Sequence, residues 1–265
     1  MDPVGMQWRK MKRAVAYLRG YVDFDRHGND VVRRTDFGNC PRPVLLLYGF
    51  MSTRRTFEVL EHRLRRDGYC VWSINLGGLF DAFNTNGIDA CAEKVRDKVE
   101  RLYARYPKMG PLSIIGHSKG GLIGRYYVKR LGGDKRVKNL ITLGTPHNGS
   151  PTAYFGIVTH GLLSRSIWQM TPMSPFIRRL KMGAFPRSTR FVSIYSKSDR
   201  VNPFPACILE DNGHPNLMNI EVADITHREF VTRRVVYQVV RRELALGYGI
   251  PLPRDEGVRR LVPIR

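Results

Sequence analysis

A glycine-rich turn with a serine at its centre is the segment of this chain best suited to carry out chemistry. Residues 116–121 read GHSKGG, directly after an apolar run and directly before a helical pattern. A G-x-S-x-G turn between a strand and a helix exposes the serine hydroxyl, and the helix N-terminus can stabilise a developing oxyanion. The phosphate-binding patterns G-x-x-x-x-G-K-[ST] and G-x-G-x-x-G do not occur in the sequence. We therefore predict that Ser118 is a nucleophile.

A serine hydroxyl becomes a nucleophile when a base accepts its proton and a third group orients that base. In a site of this type the acid and then the histidine follow the serine along the chain, each in a loop after a later strand. Asp199 comes just after the apolar run 190–196, and His227 follows the run 219–222, so they are the predicted acid and base. His214 is the alternative base. The alternative acids are the other carboxylates near these loops, namely Glu210, Asp211 and Asp224.

Two backbone N–H groups are expected to hold the oxyanion. One belongs to Lys119, the residue after the nucleophile, and the other to the loop after the first regular strand. That loop reads YGFMS at 48–52, which makes the N–H of Phe50 the second predicted donor. The alternative is that Gly49 only lets the chain turn where the strand ends. The side chain of His117 is expected to point away from the site and to pack against its neighbours.

Alternating strand and helix patterns must position these loops. From residue 44 onward, short apolar runs alternate with amphipathic helical patterns, the clearest of which covers 88–106. Such alternation predicts a mostly parallel sheet with helices on both faces. We predict one α/β domain over residues 44–265, preceded by a basic N-terminal extension over 1–43. The predicted strands are 44–48, 69–75, 112–116, 140–144, 190–196 and 219–222.

Residues 145–189 separate two predicted strands by far more than a usual connection, so we expect a lid or cap over the site. The segment is rich in apolar residues and carries five basic residues but no acidic one. An apolar surface near a nucleophilic serine suits an acyl chain. Phe155, Trp168 and Met170 are the predicted substrate-binding residues. The alternative is that most of these side chains pack on the main core.

The chain is strongly basic. Its 265 residues include 44 Lys and Arg but only 23 Asp and Glu, which gives a net charge of +21. This charge favours an anionic partner such as nucleic acid, a phospholipid surface or an acidic substrate. Residues 8–22 have a basic amphipathic pattern that fits peripheral contact with an anionic membrane; the alternative is a helix packed on the domain. Nucleic acid is not the expected partner, because the basic residues are dispersed and no nucleic-acid motif occurs.

Four of these features together resemble bacterial lipases and esterases of the α/β-hydrolase fold, of the triacylglycerol lipase type. They are the GHSKGG turn, the loop after the run VLLLYGF, GTPHNGS at 144–150 and the late Asp–His pair. The resemblance covers roughly residues 43–247 and implies a catalytic triad of Ser118, Asp199 and His227. Some members of the family bind calcium or zinc. This sequence has no clustered ligand set that matches theirs, so neither a metal nor another cofactor is predicted.

These observations predict a serine hydrolase that cleaves carboxylic esters of hydrophobic or lipid-like acyl groups through an acyl-enzyme. An acyltransferase is the first alternative, because it would use the same triad and pass the acyl group to an alcohol. The second alternative is a basic membrane- or nucleic-acid-binding protein on a hydrolase scaffold. The N-terminal residues have no uninterrupted apolar stretch of secretory type, and no charge-free run suits a membrane span. We therefore expect a cytoplasmic protein that can bind a membrane peripherally.

Overall fold

Six strands form one sheet in the computed structural model, which describes residues 35–78, 83–160, 164–210 and 214–252. The strands are β1 (Pro43–Leu47), β2 (Cys70–Ser73), β3 (Leu112–His117), β4 (Val137–Leu143), β5 (Arg190–Tyr195) and β6 (Leu217–Glu221). Their order is β2-β1-β3-β4-β5-β6, and every pair of neighbours is parallel. The mostly parallel sheet predicted from the sequence is confirmed. The basic pattern at 8–22 lies outside the described residues.

The strands alternate with helices whose apolar faces recur at helical spacing. The helices of the described residues are α1 (Glu58–Arg66), α2 (Ile88–Arg105), α3 (Lys119–Arg130), α4 (Thr152–His160), α5 (Arg165–Gln169), α6 (Pro175–Lys181), α7 (Phe204–Cys207) and α8 (Arg234–Tyr248). In α2 the buried positions recur every three to four residues, as the pattern over 88–106 predicts. The last helix ends where Gly249 takes a left-handed conformation, with φ of 64°.

Helices cover both faces of the sheet, as the contacts of two neighbouring residues of β4 show. A Cβ at Gly124 of α3 would lie 2.7 Å from Leu140, whereas one at Gly247 of α8 would lie 1.7 Å from Asn139. Consecutive strand residues point to opposite faces, so α3 and α8 pack on opposite sides of the sheet. Both faces of the central strands are therefore buried, which explains why β1 is apolar at every position.

The long connection between β4 and β5 contains α4, α5 and α6. It is fixed to the domain through α6: the ring of Phe176 stacks on that of Tyr126 in α3 at 5.4 Å, and Arg125 donates to the carbonyl of Leu180. The prediction that residues 145–189 act as a lid stays a prediction. Among the residues described, no helix is both long enough and apolar enough to cross a membrane.

Candidate active site

Ser118 occupies a strained turn between β3 and α3. Its backbone angles, φ 54° and ψ −125°, lie in a region that residues other than glycine rarely adopt and that costs on the order of 1–3 kcal/mol. Three hydrogen bonds hold the turn: the Ser118 N–H donates to Leu143 O at 2.9 Å, and Ser118 O accepts from Gly121 N at 3.0 Å and Thr145 Oγ1 at 2.9 Å. The strained serine is thus fixed by β4 and by the first turn of α3.

The glycines of the turn are required by close packing. A Cβ at Gly120 would lie 1.9 Å from the carbonyl oxygen of Leu47, and one at Gly121 would lie 2.1 Å from Thr145 Oγ1. No side chain fits at either position unless β1 or the start of the 145–189 segment moves. The sequence pattern around Ser118 therefore has a steric cause.

Asp199 and His227 form a buried hydrogen-bonded pair at the same edge of the sheet. His227 Nδ1 donates to Asp199 Oδ2 at 2.8 Å, and the two residues are 3% and 2% exposed. The other carboxylate oxygen, Oδ1, accepts from the N–H groups of Val201 at 2.8 Å and Asn202 at 3.0 Å. This geometry fixes the ring so that Nε2 is the nitrogen able to accept a proton.

His117, the residue before Ser118, contacts the loop of His227. Its ring lies 4.7 Å from that of His227, and its Nε2 donates to the carbonyl oxygen of His227 at 2.9 Å. Burial and the neighbouring His227 lower the pKa of His117 to about 3, so the ring is neutral. The side chain packs against Phe57 and His227, as expected of a packed neighbour, while His117 is also one of the residues that line the cavity described below. The direction of its ring follows from its hydrogen bond to the carbonyl oxygen of His227.

The predicted oxyanion loop lies close to Ser118. A Cβ added at Gly49 would be 3.1 Å from Ser118 Cβ, so the loop passes close to the serine at Gly49. Tyr48 fixes the start of the loop, because its hydroxyl accepts from the N–H of Leu76 at 2.8 Å. The loop of Phe50 and the first residue of α3, Lys119, therefore flank Ser118, as the assignment of their N–H groups to an oxyanion requires.

Asn202 is a site residue that the sequence analysis missed. Its Nδ2 donates to Gly144 O at 2.7 Å and lies 3.5 Å from Ser118 Oγ, while its backbone N–H binds Asp199. One buried residue thus joins Asp199, the end of β4 and Ser118 through its backbone N–H and its side-chain amide. Its position three residues after Asp199 is the only signal in the sequence, and that spacing does not reveal where the amide points.

The alternative base and acids have other partners. His214 Nε2 donates to Phe185 O at 3.1 Å, and His214 Nδ1 accepts from Asn216 N at 3.2 Å, so the ring ties two loops together. Glu210 forms an exposed ion pair with Lys181 at 2.8 Å. The remaining alternatives are Asp224, which is exposed, and Asp211, which lies outside the described residues. The geometry favours Asp199 and His227.

A cavity of about 310 Å³ lies between the oxyanion loop and the loop of His227. His117 and His227 form one part of its wall, and hydroxyl-bearing residues such as Ser52, Thr56 and Thr232 form another. The three predicted substrate-binding residues do not line it. Phe155 and Trp168 are 56% and 53% exposed on α4 and α5, and Met170 is buried. Their role in binding an acyl chain stays a prediction.

In the four described stretches, no three His, Cys, Asp or Glu side chains are grouped closely enough to hold a metal ion.

Two lipases of known structure share this architecture. The mature lipase BlEst2 of Bacillus licheniformis matches 82% of this chain and 96% of its own, with a TM-score of 0.63 and 15% identity. Lipase B of Aspergillus fumigatus matches 84% of this chain and 60% of its own, with a TM-score of 0.64 and 17% identity. At this level of identity the match shows the fold alone, and it confirms the predicted α/β-hydrolase fold.

Two curated proteins are similar in sequence to part of this chain. Triacylglycerol lipases of Pseudarthrobacter phenanthrenivorans and Burkholderia plantarii are each 30% identical over 119 residues, which is 43% of this chain. The match spans about a third of the length of these curated relatives, 35% and 32% respectively. These relatives confirm the resemblance to bacterial lipases and esterases.

The sequence profile of one family covers more than half of the chain. The profile described as palmitoyl protein thioesterase matches residues 43–185, which include the oxyanion loop and Ser118 but end before Asp199 and His227. The family match therefore does not depend on Asp199 and His227, and the hydrogen bond between these two residues is an independent observation. The chain is a member of the palmitoyl protein thioesterase family.

Proposed function

We propose that this protein is a serine hydrolase that cleaves carboxylic esters of hydrophobic acyl groups, with Ser118, His227 and Asp199 as its catalytic triad. The observation that carries the proposal is the combination of a strained, buried Ser118 with the His227–Asp199 pair at 2.8 Å. Backbone strain of this kind is kept only where the surroundings impose it, and it occurs preferentially at functional sites. A purely structural serine would need neither the strain nor the oriented histidine.

The proposed reaction proceeds through an acyl-enzyme. Ser118 Oγ attacks the ester carbonyl carbon while His227 Nε2 accepts the hydroxyl proton, and Asp199 stabilises the imidazolium that forms. The N–H groups of Phe50 and Lys119 bind the negative oxygen of the tetrahedral intermediate. When this intermediate collapses, the bond to the alcohol breaks and His227 returns the proton to the leaving oxygen. Water then attacks the acyl-enzyme by the same steps, which releases the acid and restores Ser118.

Covalent labelling of the active serine tests the proposal most directly. A fluorophosphonate probe should label the folded protein at Ser118, and Ser118→Ala should abolish the labelling. The same preparations should hydrolyse p-nitrophenyl esters in a series of increasing chain length, and product analysis with an added alcohol separates hydrolysis from acyl transfer. Absence of labelling in folded protein, together with no ester hydrolysis above the Ser118→Ala control, would refute the enzyme assignment.

A long-chain thioesterase is a second candidate, favoured by the family match across residues 43–185. The same triad can cleave a thioester, because the steps differ only in the leaving atom, which is sulfur. Matched oxygen and sulfur esters of one acyl chain separate the two functions. A kcat/KM for the S-acyl substrate that clearly exceeds that for its oxygen counterpart would favour the thioesterase, after correction for the higher intrinsic reactivity of thioesters.

A further inference from the structure

The side chain of Lys119 is a buried cation that the reaction steps above do not use. It is fully buried, although lysine is among the residues least often found inside a protein. Its ammonium group donates three hydrogen bonds, to Asn84 O at 3.0 Å, Asn84 Oδ1 at 2.8 Å and Asn86 O at 2.5 Å. An ammonium group has three N–H donors, so these contacts use all of them. The side chain of Lys119 is therefore held in one defined position.

Asn84 connects the side chain of Lys119 to the oxyanion loop. Its Nδ2 donates to Tyr48 O at 3.0 Å, and its backbone N–H donates to Ser52 O at 3.3 Å. Tyr48 and Ser52 are the two ends of the loop that contains Phe50. The loop is thus anchored at both ends to one asparagine, and the carbonyl oxygens of that asparagine are bound by the ammonium group of Lys119.

We propose that Lys119 is a positioning residue that sets the spacing between the two halves of the oxyanion hole. Its backbone supplies one donor directly, while its side chain, through Asn84, fixes the loop that supplies the other. The inference rests on the proposed function, because an oxyanion hole matters only if Ser118 attacks a carbonyl. It assigns a role to the side chain, which the G-x-S-x-G pattern leaves open.

The charge state of Lys119 supplies a second way to perturb this network. Burial lowers the pKa of Lys119 from its ordinary value of 10.5 to about 8. Among the described residues, the titratable group that faces it is the Cys91 thiol of α2, whose own pKa is raised by burial, so it stays neutral. A neutral amine has two donors and a lone pair, so one of the three oxygens loses its donor. Oxyanion stabilisation should therefore weaken as the pH rises through about 8.

Kinetics of Lys119→Met on a short, soluble p-nitrophenyl ester test the proposal. Methionine keeps much of the volume but removes all three donors and the charge. We expect kcat to fall about 10- to 100-fold with little change in KM, since a misplaced donor costs up to about the 10²–10³-fold seen when one is deleted. Lys119→Arg keeps the charge and the donors, and it should recover part of the loss. Unchanged kcat in Lys119→Met would overturn the proposal.

The pH profile of the unmutated protein keeps the proposal testable even if Lys119→Met fails to fold. Its kcat should decline above pH 8, at pH values where thermal melting shows that the protein is still folded. A flat profile from pH 7 to pH 9.5 would overturn the inference. In a folded Lys119→Met or Lys119→Gln variant this decline should be absent.

Lys129→Met is the matched control. Lys129 lies on the same helix, donates to the carbonyl of Gly183 at 2.8 Å, and has a pKa that burial likewise lowers to about 8. This variant should keep both the kcat and the decline above pH 8. If Lys129→Met abolishes the decline, the pH effect does not come from Lys119. If the unmutated protein is neither labelled by fluorophosphonate nor active, the proposed function fails first and the inference falls with it.

Discussion

Replacement of Asp199 by Asn should move the ring proton of His227, the proposed catalytic base, from Nδ1 to Nε2. Asp199 Oδ1 accepts from two backbone N–H groups, and Oδ2 accepts from His227 Nδ1. An asparagine has only one acceptor oxygen. If this oxygen keeps the two backbone contacts, the NH₂ group of the asparagine faces His227 Nδ1–H, so two hydrogen-bond donors face each other. The favoured outcome is that the proton of the ring moves to Nε2.

This tautomer cannot accept the proton of Ser118, because Nε2 already carries one. The opposite amide orientation would place the NH₂ group against two buried N–H donors, at a cost of about 1–3 kcal/mol for each unsatisfied group. The first orientation is therefore favoured, and it holds the histidine in the tautomer that cannot act as a base. We expect kcat to fall about 10⁴-fold, as tautomer inversion does in other Ser-His-Asp enzymes, which corresponds to about 5 kcal/mol of transition-state stabilisation.

The assay is hydrolysis of a soluble p-nitrophenyl ester, with the melting temperature measured in parallel. Asp224→Asn is the matched control, because Asp224 is exposed and its φ of 54° is tolerated by asparagine. This control should remain active. The reasoning is refuted if folded Asp199→Asn keeps near-normal turnover, or if Glu210→Gln or Asp211→Asn causes the loss instead.

Three further predictions follow from the site and the charge. Ser118→Ala should remain folded and lose at least about 10³-fold in esterase activity, and an active Ser118→Ala would contradict the nucleophile assignment. Ser118→Gly should lose activity in the same way and should also raise the melting temperature, because glycine relieves the strain at φ 54°. His214→Ala should affect turnover mildly and His227→Ala severely, and steady-state kinetics showing the reverse order would exchange the two roles. Vesicles with acidic lipids should bind the protein more tightly than neutral ones, in a salt-dependent way, because each basic residue at such a surface contributes about 1 kcal/mol. Deletion of residues 1–22 should weaken this binding, measured by sedimentation, more than it lowers turnover of a soluble ester. Equal binding to both vesicle types would leave the charge of +21 without a membrane role.

The fold and the candidate triad were predictable because their signals are local or follow from chain order. Apolar runs and helical periods can be recognised within short segments of the sequence. The glycines at 116, 120 and 121 are likewise a local signal, because the sharp turn around Ser118 requires them. Parallel strands place their following loops at one edge of the sheet. The loop of Asp199 and the loop of His227, which follow two late strands, therefore come to the same edge of the sheet as Ser118, even though 109 positions separate Ser118 from His227 in the sequence.

Only the tertiary structure decided where individual side chains point and what they bind. Composition marked Phe155, Trp168 and Met170 as apolar, but the cavity beside His227 is lined by other residues. The direction of the His117 ring depends on a carbonyl 110 residues away. From sequence alone a lysine is expected at the surface. Lys119 is buried instead, because its ammonium group donates hydrogen bonds to the backbone oxygens of Asn84 and Asn86 and to the side-chain oxygen of Asn84. Such contacts join segments that have no fixed spacing along the chain, and their distances are set only when the sheet brings those segments together.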